Sequence, residues 1–130
     1  MLIQREDKTE EHYRFFKSYF EFPISLDDFL TSSSKLLTLR ETTLEGLVSY
    51  TQVNRDRIHI NFIVVSDKYK KQGFGTELLD ILSSKECKMT CNVREQNTIS
   101  LNFFKKYGFM EIDKDEYKNG DIKIMLQYGK

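Results

Sequence analysis

Residues 56–76 read DRIHINFIVVSDKYKKQGFGT, and this stretch predicts the strand and the turn around which the rest of the chain is arranged. Positions 56–65 form the longest strand candidate of the chain. Because side chains alternate along a strand, one face is predicted to be apolar: Ile58, Ile60, Phe62 and Val64. The opposite face is predicted to be mixed: His59, Asn61, Ile63 and Val65. Two polar residues on one face of an apolar central strand are the first indication of a functional site.

A glycine turn joins this strand to the next helix. Gly73 and Gly75 allow the backbone to come close to a ligand, because neither residue carries a Cβ atom. The first amides of the following helix point at one spot, where the helix dipole favours an anion. Lys70 and Lys71 add positive charge beside that spot. The simplest use of such a turn is to bind a phosphate-bearing ligand, although two glycines alone are also typical of an ordinary strand-to-helix turn.

Two common nucleotide-binding motifs do not fit this turn. A P-loop ends in Gly-Lys-Ser/Thr, which the turn lacks. A dinucleotide-binding fingerprint needs a third glycine where this chain has Leu78, and 130 residues are too few for a full doubly wound fold.

The rest of the chain alternates between helical and strand patterns. Helices are predicted at residues 8–20, from residue 26 to the serines at 32–34, and at residues 76–84 and 97–107. Further strands are predicted at residues 35–40, 46–53, 89–93, 109–112 and 122–126. Gly108 should end the last helix, and Asn119-Gly120 should form a hairpin turn. This order predicts a mixed α/β sheet with helices on both faces.

Composition limits the classes of protein to which the chain can belong. Its length suits one domain, residues 1–130, and 39% hydrophobic with 31% charged residues is typical of a soluble globular protein. No apolar run is long enough to cross a membrane, and acidic residues at positions 6 and 7 argue against a signal peptide. A net charge of zero argues against nucleic acid as a partner. Two cysteines without further ligands predict no metal site, and free thiols fit a cytoplasmic protein.

Two blocks of sequence together carry a family resemblance. In residues 63–75, a strand ending in Ile63-Val64-Val65 leads into Lys70-x-x-Gly73-x-Gly75, and residues 97–109 read NTISLNFFKKYGF. In this order, with room for one strand between two helices, the blocks resemble the GNAT superfamily of N-acetyltransferases. Lys70 departs from the Arg or Gln usual at the first position of the motif. The resemblance covers essentially the whole chain and implies the acyl-CoA N-acyltransferase fold, a central mixed sheet with helices on both faces.

The resemblance implies a binding mode for acetyl-CoA as co-substrate. The backbone of Ile63 and Val65 would hydrogen-bond the pantetheine arm, while Asn97 and Ser100 would lie beside the pantetheine and thioester end. The strands that carry Val65 and Cys91 would part to admit the cofactor. Lys70 would stand at the first motif position, and the pyrophosphate would be held by the amides of six residues: Lys71, Gln72, Gly73, Phe74, Gly75 and Thr76.

The resemblance also bears on catalysis. His59 lies four residues before Ile63, where the histone-acetyltransferase branch of the family has a catalytic glutamate, so His59 could act as the base directly or through a water. A hydrogen-bonded structural role is the alternative for His59, and Asn61 could position a water or the substrate. Many relatives have a tyrosine as the acid at the position of Phe104, which has no proton to give. Tyr107 is nearby in sequence, but it is also typical of core packing.

Two functions therefore remain open. The first is an N-acetyltransferase acting on a primary amine of a small molecule or peptide. The second is a catalytically degenerate acyl-CoA-binding module that acts as a sensor or interaction domain. The acceptor pocket is expected at residues 19–34, where three phenylalanines could line it and three acidic residues could attract a cationic amine: Phe20, Phe22, Phe29, Glu21, Asp27 and Asp28. The same residues are equally typical of core packing and helix caps. The chain could be a monomer or a homodimer paired through the strand at residues 122–126.

Overall fold

The computed structural model describes residues 1–83 and 87–129. Within them, seven strands form one sheet, in the order β1-β2-β3-β4-β5-β7-β6, and four α-helices flank it. The strands are β1 (Leu2–Glu6), β2 (Lys35–Arg40), β3 (Leu44–Asn54), β4 (Arg57–Val65), β5 (Lys88–Arg94), β6 (Met110–Glu116) and β7 (Ile122–Tyr128). The helices are α1 (Glu10–Tyr19), α2 (Leu26–Thr31), α3 (Phe74–Ser83) and α4 (Thr98–Tyr107). All neighbouring strands are antiparallel except β4 and β5, which are parallel.

Most of the elements expected from the sequence are confirmed. Strand β1 was not expected, because only Ile3 and Glu6 of its five residues are even partly buried and its pattern is weak. Strand β6 ends four residues later than the sequence predicts. All seven of its residues are exposed, so its last part has no apolar pattern by which it could be recognised. Gly108 ends α4 as expected, with a φ of 127° and its N–H donating to the carbonyl of Phe104. The expected end of the α3 helix at Ser84 lies outside the described residues.

Helices lie on both faces of the sheet, as the sequence predicts. On one face, α3 and α4 bury Leu78, Leu79 and Phe104 in the larger core, against side chains of β3, β4, β5 and β7. On the other face, aromatic residues of α1 pack on a smaller cluster, whose buried members are Leu36, Leu44, Leu47 and Val64. The sheet therefore separates two cores, and β4 contributes side chains to both.

A β-bulge in β4 corrects the alternation expected from the sequence. Tyr50 of β3 is paired with Ile60, but the preceding Ser49 is paired with Phe62. Asn61 is the extra residue between these pairs. An extra residue shifts the side-chain period by one, so every residue after it changes face.

The faces of β4 therefore exchange roles beyond Asn61. Ile63 and Val65 join the core under α3 and α4, the same core as Ile58 and Ile60. Phe62 and Val64 belong to the cluster under α1. The sequence-based grouping of Phe62 and Val64 with Ile58 was wrong, because alternation carries no information about a bulge.

Strands β4 and β5 stay together for only part of their lengths. Their parallel pairing runs from Arg57↔Lys88 to Ile60↔Cys91 and then stops. Beyond this point β4 continues to Val65, while β5 turns to pair with β7 up to Arg94. The parting of the two strands, which the family resemblance implied, is present and opens a gap in the middle of the sheet.

A charged network fixes the N-terminal segment to the sheet. Arg40 at the end of β2 donates to both carboxylate oxygens of Glu6, at 2.9 and 3.0 Å, and to both of Glu11, at 2.9 and 3.2 Å. The buried His12 lies 2.9 Å from Glu6 and accepts a hydrogen bond from the backbone N–H of Thr9, the residue before α1. One guanidinium thus joins β1, α1 and β2.

Replacing Arg40 with Gln is expected to destabilise the fold by about 2 kcal/mol at neutral pH, because two carboxylates lose charged donors. Arg40 also holds the pKa of Glu6 well below its ordinary value. A carboxyl with a depressed folded-state pKa stabilises the protein above its unfolded pKa, about 4.3, and loses that contribution as the pH falls through the folded value. Urea titrations at pH 7, 4 and 2.5 should show a steep loss of wild-type stability in acid and a shallower loss in Arg40→Gln. Arg14→Gln, which breaks only an exposed pair with Glu10, is the control; equal acid slopes for Arg40→Gln and wild type would refute the assignment.

Candidate active site

The glycine turn forms an open cradle of backbone amides at the start of α3. Lys71 and Gly73 have positive φ angles, 62° and 84°, so the chain bends sharply before Phe74. The first α-helical hydrogen bond of the turn runs from the N–H of Glu77 to the carbonyl of Gly73. The N–H groups that precede Glu77 therefore have no partner within the helix and face its N-terminal end. A Cβ added at Gly73 would meet no atom within 4 Å, so the approach to these amides is unobstructed.

Gly75 has a different role from Gly73. A Cβ at position 75 would lie 3.0 Å from the ring of Phe103 in α4. Gly75 therefore allows α3 and α4 to approach each other closely. It does not make room for a ligand. Gly73 alone has the steric freedom that the sequence attributed to both glycines.

The lysines beside the turn are not equivalent. The ammonium of Lys70 pairs with Asp67 at 2.8 Å and lies 5.8 Å from the ring of Tyr19. Lys71 is exposed and makes no ion pair with any described residue. The side chain of Gln72 donates to the carbonyl of Lys68. Of these two lysines, Lys71 is the one without an ion pair to a described residue, so its ammonium can face an anion at the amide cradle.

A cleft of about 580 Å³ fills the gap between the parted strands. Its floor is formed by β4 and β5, one wall by the start of α4, and its rim by the loop after α1 together with Tyr117. Of the residues that the sequence assigned to the site, Asn61, Ile63, Asn97 and Ser100 line this cleft. Val65 does not line it but is half-buried on the same strand, in the core under α3.

Asn97 also forms the N-terminal cap of α4. Its side-chain oxygen accepts the N–H of Ser100 at 3.3 Å, one of the amides that a helix start leaves without a partner. The cap fixes Asn97 and Ser100 next to each other at the wall of the cleft. Asn97 therefore both starts α4 and fixes which polar side chains line this wall of the cleft.

His59 lies below the parting rather than in the cleft itself. Its Nδ1 is 2.9 Å from the hydroxyl of the buried Thr90, the residue with which it is paired across β4 and β5. Burial, together with the positive charge of Arg57, lowers the pKa of His59 below its ordinary value. Asn61, which does line the cleft, donates to the hydroxyls of Ser49 and Thr51 on β3. His59 and Asn61 share the face of the sheet on which α1 lies.

A family model for the acetyltransferase (GNAT) domain matches residues 4–125. This chain belongs to the GNAT acetyltransferase family. No curated protein gives a significant match. No helix within the described residues is long and apolar enough to cross a membrane.

Solved structures share the fold of this GNAT chain at low sequence identity. An aminoglycoside 6'-N-acetyltransferase complexed with coenzyme A matches with a TM-score of 0.80 at 12% identity, over 98% of this chain and 96% of the other. The ribosomal-protein-S18-alanine N-acetyltransferase from Escherichia coli matches with 0.78 at 17% identity, over 97% and 91%. Arabidopsis thaliana Naa50 in complex with the bisubstrate analogue CoA-Ac-MVNAL matches with 0.71 at 18% identity, over 99% of both chains.

Neither of the two positions that the sequence suggested for an acid places a hydroxyl in the cleft. Phe104 lines the cleft of this GNAT protein and is 5% exposed. The Tyr107 hydroxyl instead donates to Asp80 at 2.8 Å and lies 3.2 Å from the hydroxyl of Ser83, outside the cleft lining, and burial raises its pKa to about 12. Tyr117 lies at the cleft rim, where the cations of Arg94 and Lys123 lie 5.2 and 5.9 Å from its ring.

Tyr117 and Arg94 line the cleft but are not among the site residues that the sequence predicted. They meet because β5 pairs with β7, which brings Arg94 opposite Lys123 and next to the turn after β6. Arg94 is also 3.3 Å from Asp121 in that turn. No short motif encodes such a long-range pairing, so nothing in the local sequence pointed to these residues.

Cys91 marks the point in the cleft floor where the strands part. Its side chain is 2% exposed, and burial raises the pKa of its thiol to about 12. The thiol is therefore neutral at physiological pH and acts as a small apolar group.

Cys91 is expected to resist alkylation by iodoacetamide in the folded protein. At pH 8 the thiolate fraction at a pKa of about 12 is on the order of a thousandfold below that of an ordinary cysteine. Peptide mass spectrometry after timed labelling should show slow modification of Cys91 in buffer and rapid modification in urea. The Cys91→Ser variant identifies the signal of Cys87. Rapid labelling of native Cys91 would show that the floor of the cleft opens in solution.

Proposed function

We propose that this GNAT protein transfers the acetyl group of acetyl-CoA to a primary amine of a small molecule or peptide. The observation that carries this proposal is the position of two features on one strand: the cleft opens where β4 parts from β5, and β4 then leads through a short connection to the open amide cradle at Gly73. Such an arrangement suits a long ligand with a pyrophosphate at one end and a thioester at the other. The solved relatives with coenzyme A or a coenzyme A conjugate support this choice.

The residues of the chain fit coenzyme A chemically. The free amides at the start of α3 and the ammonium of Lys71 would bind the pyrophosphate, while Lys70 stays with Asp67. The edge of β4 that faces away from β3 has no pairing with β5 between Asn61 and Val65, so Ile63 and Val65 can offer backbone groups to the pantetheine amides. Acetyl-CoA, when bound, supplies the activated acetyl thioester.

The polar face of β4 supports a role in handling the proton of the acceptor amine. The lowered pKa of His59 keeps the imidazole neutral at pH 7, and its Nε2 has no hydrogen-bond partner among the described residues. His59 would accept the proton through a water, because Asn61 and Ile60, but not His59, line the cleft. Asn61, held by two hydroxyls of β3, would orient that water or the amine.

The rim of the cleft supports an amine as acceptor. Glu21 lies there between Phe20 and Phe22, and its carboxylate makes no ion pair with a described residue. An unpaired carboxylate among aromatic rings attracts an ammonium group from solution. Phe22 is 64% exposed, so the rim also offers apolar contact area to a larger acceptor.

The degenerate acyl-CoA-binding module remains the second candidate because of Phe104 alone. This residue stands in the cleft where many relatives have an acidic hydroxyl, and its ring cannot protonate a thiolate. The hydroxyls of Ser100 and Tyr117 also line the cleft and could substitute for it. A module that only binds has no use for the neutral His59 and the oriented Asn61, so we place the enzyme first.

Calorimetric titration with acetyl-CoA, followed by a thiol-release assay on a panel of amines, separates the two functions. Binding with thiol release on one class of amine supports the transferase. Binding without release on any amine supports the module. Absence of binding would refute both functions.

Gly73→Glu is expected to abolish binding of acetyl-CoA, because its carboxylate would stand in the open space before the amides. Gly73→Gln is the matched control, since it has the same size and the same backbone strain at a φ of 84° but no charge. Calorimetry should show an affinity at least about tenfold lower for Glu than for Gln, which corresponds to about 1.4 kcal/mol. Equal affinities in two folded variants would refute the assignment of the cradle.

His59→Gln is expected to lower kcat by about 100-fold while the Kd of acetyl-CoA stays unchanged, because Gln can still bond Thr90 but cannot take a proton. The base works when neutral, so the wild-type rate should rise with pH through the lowered pKa of His59 and level off above it. That rise should be absent from the profile of His59→Gln. A variant that keeps the rising limb would exclude His59 as the base.

A further inference from the structure

A second pocket, of about 290 Å³, lies at the other end of β4 and β5. Strands β4 and β5 both begin there, and β7 ends there, so this pocket is at the opposite end of β4 from the glycine turn. Its lining is entirely polar or charged: Asn54, Asp56, Arg57, Lys88 and Gln127. None of these residues has a part in the proposed acetyl-CoA site.

Two cations of this pocket stand side by side with no counter-ion among the residues that the structure describes. Arg57 and Lys88 are direct partners in the pairing of β4 with β5, and neither makes an ion pair with any described residue. Like charges on directly opposed residues repel each other. Asp56 is the one acid in the lining and lies beyond ion-pair distance of both cations, so the lining carries one net positive charge. A bound anion would relieve the repulsion.

The frame around these cations is fixed by hydrogen bonds. The side chain of Asn54 accepts the N–H of Asp56 at 2.8 Å, and Gln52 donates to the carbonyl of Asn54 at 2.6 Å. The N–H of Lys88 donates to the carbonyl of Asp56 at 2.7 Å, which ties the start of β5 to the β3–β4 turn. The pocket is therefore held by backbone groups together with the side chains of Gln52 and Asn54, and its frame does not depend on the charged groups of Arg57 and Lys88.

The pocket and the polar part of the cleft share one face of the sheet. By alternation, Arg57 lies on the face of His59, and Lys88 on the face of Thr90, with which His59 is hydrogen-bonded. The positive charge of Arg57, after burial, contributes to the lowered pKa of His59, as expected for two side chains on one face of a strand. Asn61 lies on this face at the edge of the cleft. At roughly 3.3 Å per residue, Arg57 is about 13 Å from Asn61 along the strand.

We infer that the acceptor is an amine that also carries an anionic group, a carboxylate or a phosphate, and that this group binds between Arg57 and Lys88 while the amine enters the cleft near Asn61. This inference rests on the proposed acetyltransferase function and names the chemical class of its acceptor. The anionic group would be about 13 Å from the reacting nitrogen, which is the distance along β4 from Arg57 to Asn61.

The first test measures the binding of anions to the pocket and needs no enzymatic turnover. Succinate and, separately, inorganic phosphate are titrated into the protein while the backbone amide resonances are followed by NMR. We expect saturable shifts centred on Arg57, Lys88 and Gln127, and at least a fivefold loss of affinity in Arg57→Gln and in Lys88→Gln. Arg55→Gln, two residues from Arg57 but outside the lining, and Lys106→Gln on α4 are matched controls that should bind as wild type. Absence of saturable shifts for both anions would overturn the inference.

The second test connects the pocket to the acceptor. The tetrapeptides Ala-Gly-Gly-Asp and Ala-Gly-Gly-Asn, both amidated at the C-terminus, place a carboxylate or its neutral isostere about 13 Å from the amine when extended. We expect the acidic peptide to have a KM about tenfold lower, this advantage to disappear in Lys88→Gln, and the KM of acetyl-CoA to stay the same. Equal KM values for the two peptides in wild type would overturn the inference even if succinate binds.

Failure of the proposed function gives a different pattern. In that case acetyl-CoA would not bind, or no peptide would release thiol, whatever its charge. An NMR competition experiment, in which each peptide displaces bound succinate, would then test whether the pocket binds the anionic group. Stronger displacement of succinate by the acidic peptide supports the assignment, and equal displacement by the two peptides overturns it.

Discussion

The parting of β4 from β5 after four cross-strand pairs is the constraint on which the rest of the site depends. Parallel strands in the middle of a sheet normally satisfy each other's backbone groups along their whole length. Here the strands separate at Ile60 and Cys91, and the backbone edge of β4 beyond that point faces a cleft instead of a strand. The sheet tolerates this because β3 still pairs with β4, and β7 with β5, on their outer sides. A gap between strands would weaken an ordinary sheet. Here it leaves backbone groups of β4 available to a ligand that has amide groups of its own.

The bulge at Asn61 begins where this parting begins. It lets Asn61 and Phe62 point to the same face of the sheet, so one polar and one aromatic side chain reach the acceptor side together. It also turns Ile63 and Val65 into the core under α3, which leads the chain toward the glycine turn. The position of the bulge therefore determines both which side chains reach the acceptor and how β4 leads into the glycine turn.

The sequence predicted those parts of the molecule that local rules control. The glycine turn and the stop at Gly108 each follow from the conformational preferences of one or two residues, and both are present. Three other features depend on contacts between distant segments, and the sequence missed them. The bulge is defined only by the partner strand β3, Tyr117 reaches the cleft only through the pairing of β5 with β7, and β1 is recognised only by its place beside β2.

The charged side chains of β4 and β5 lie at the ends of the strands, and this distribution indicates which ligands suit the site. The middle of β4 and β5 is kept uncharged, because burial raises the pKa of Cys91 on β5, burial and the charge of Arg57 lower the pKa of His59 on β4, and Phe104 of α4 adds only a ring. Cations without an ion pair to a described residue stand instead at the two ends, Lys71 at the glycine turn and Arg57 with Lys88 at the start of the strands. A ligand charge bound at either end is anchored without entering the low-dielectric middle, where an amine reacts only in its neutral form. An acceptor that holds its charge at a distance from its amine suits this arrangement better than one whose charge lies beside the reacting nitrogen.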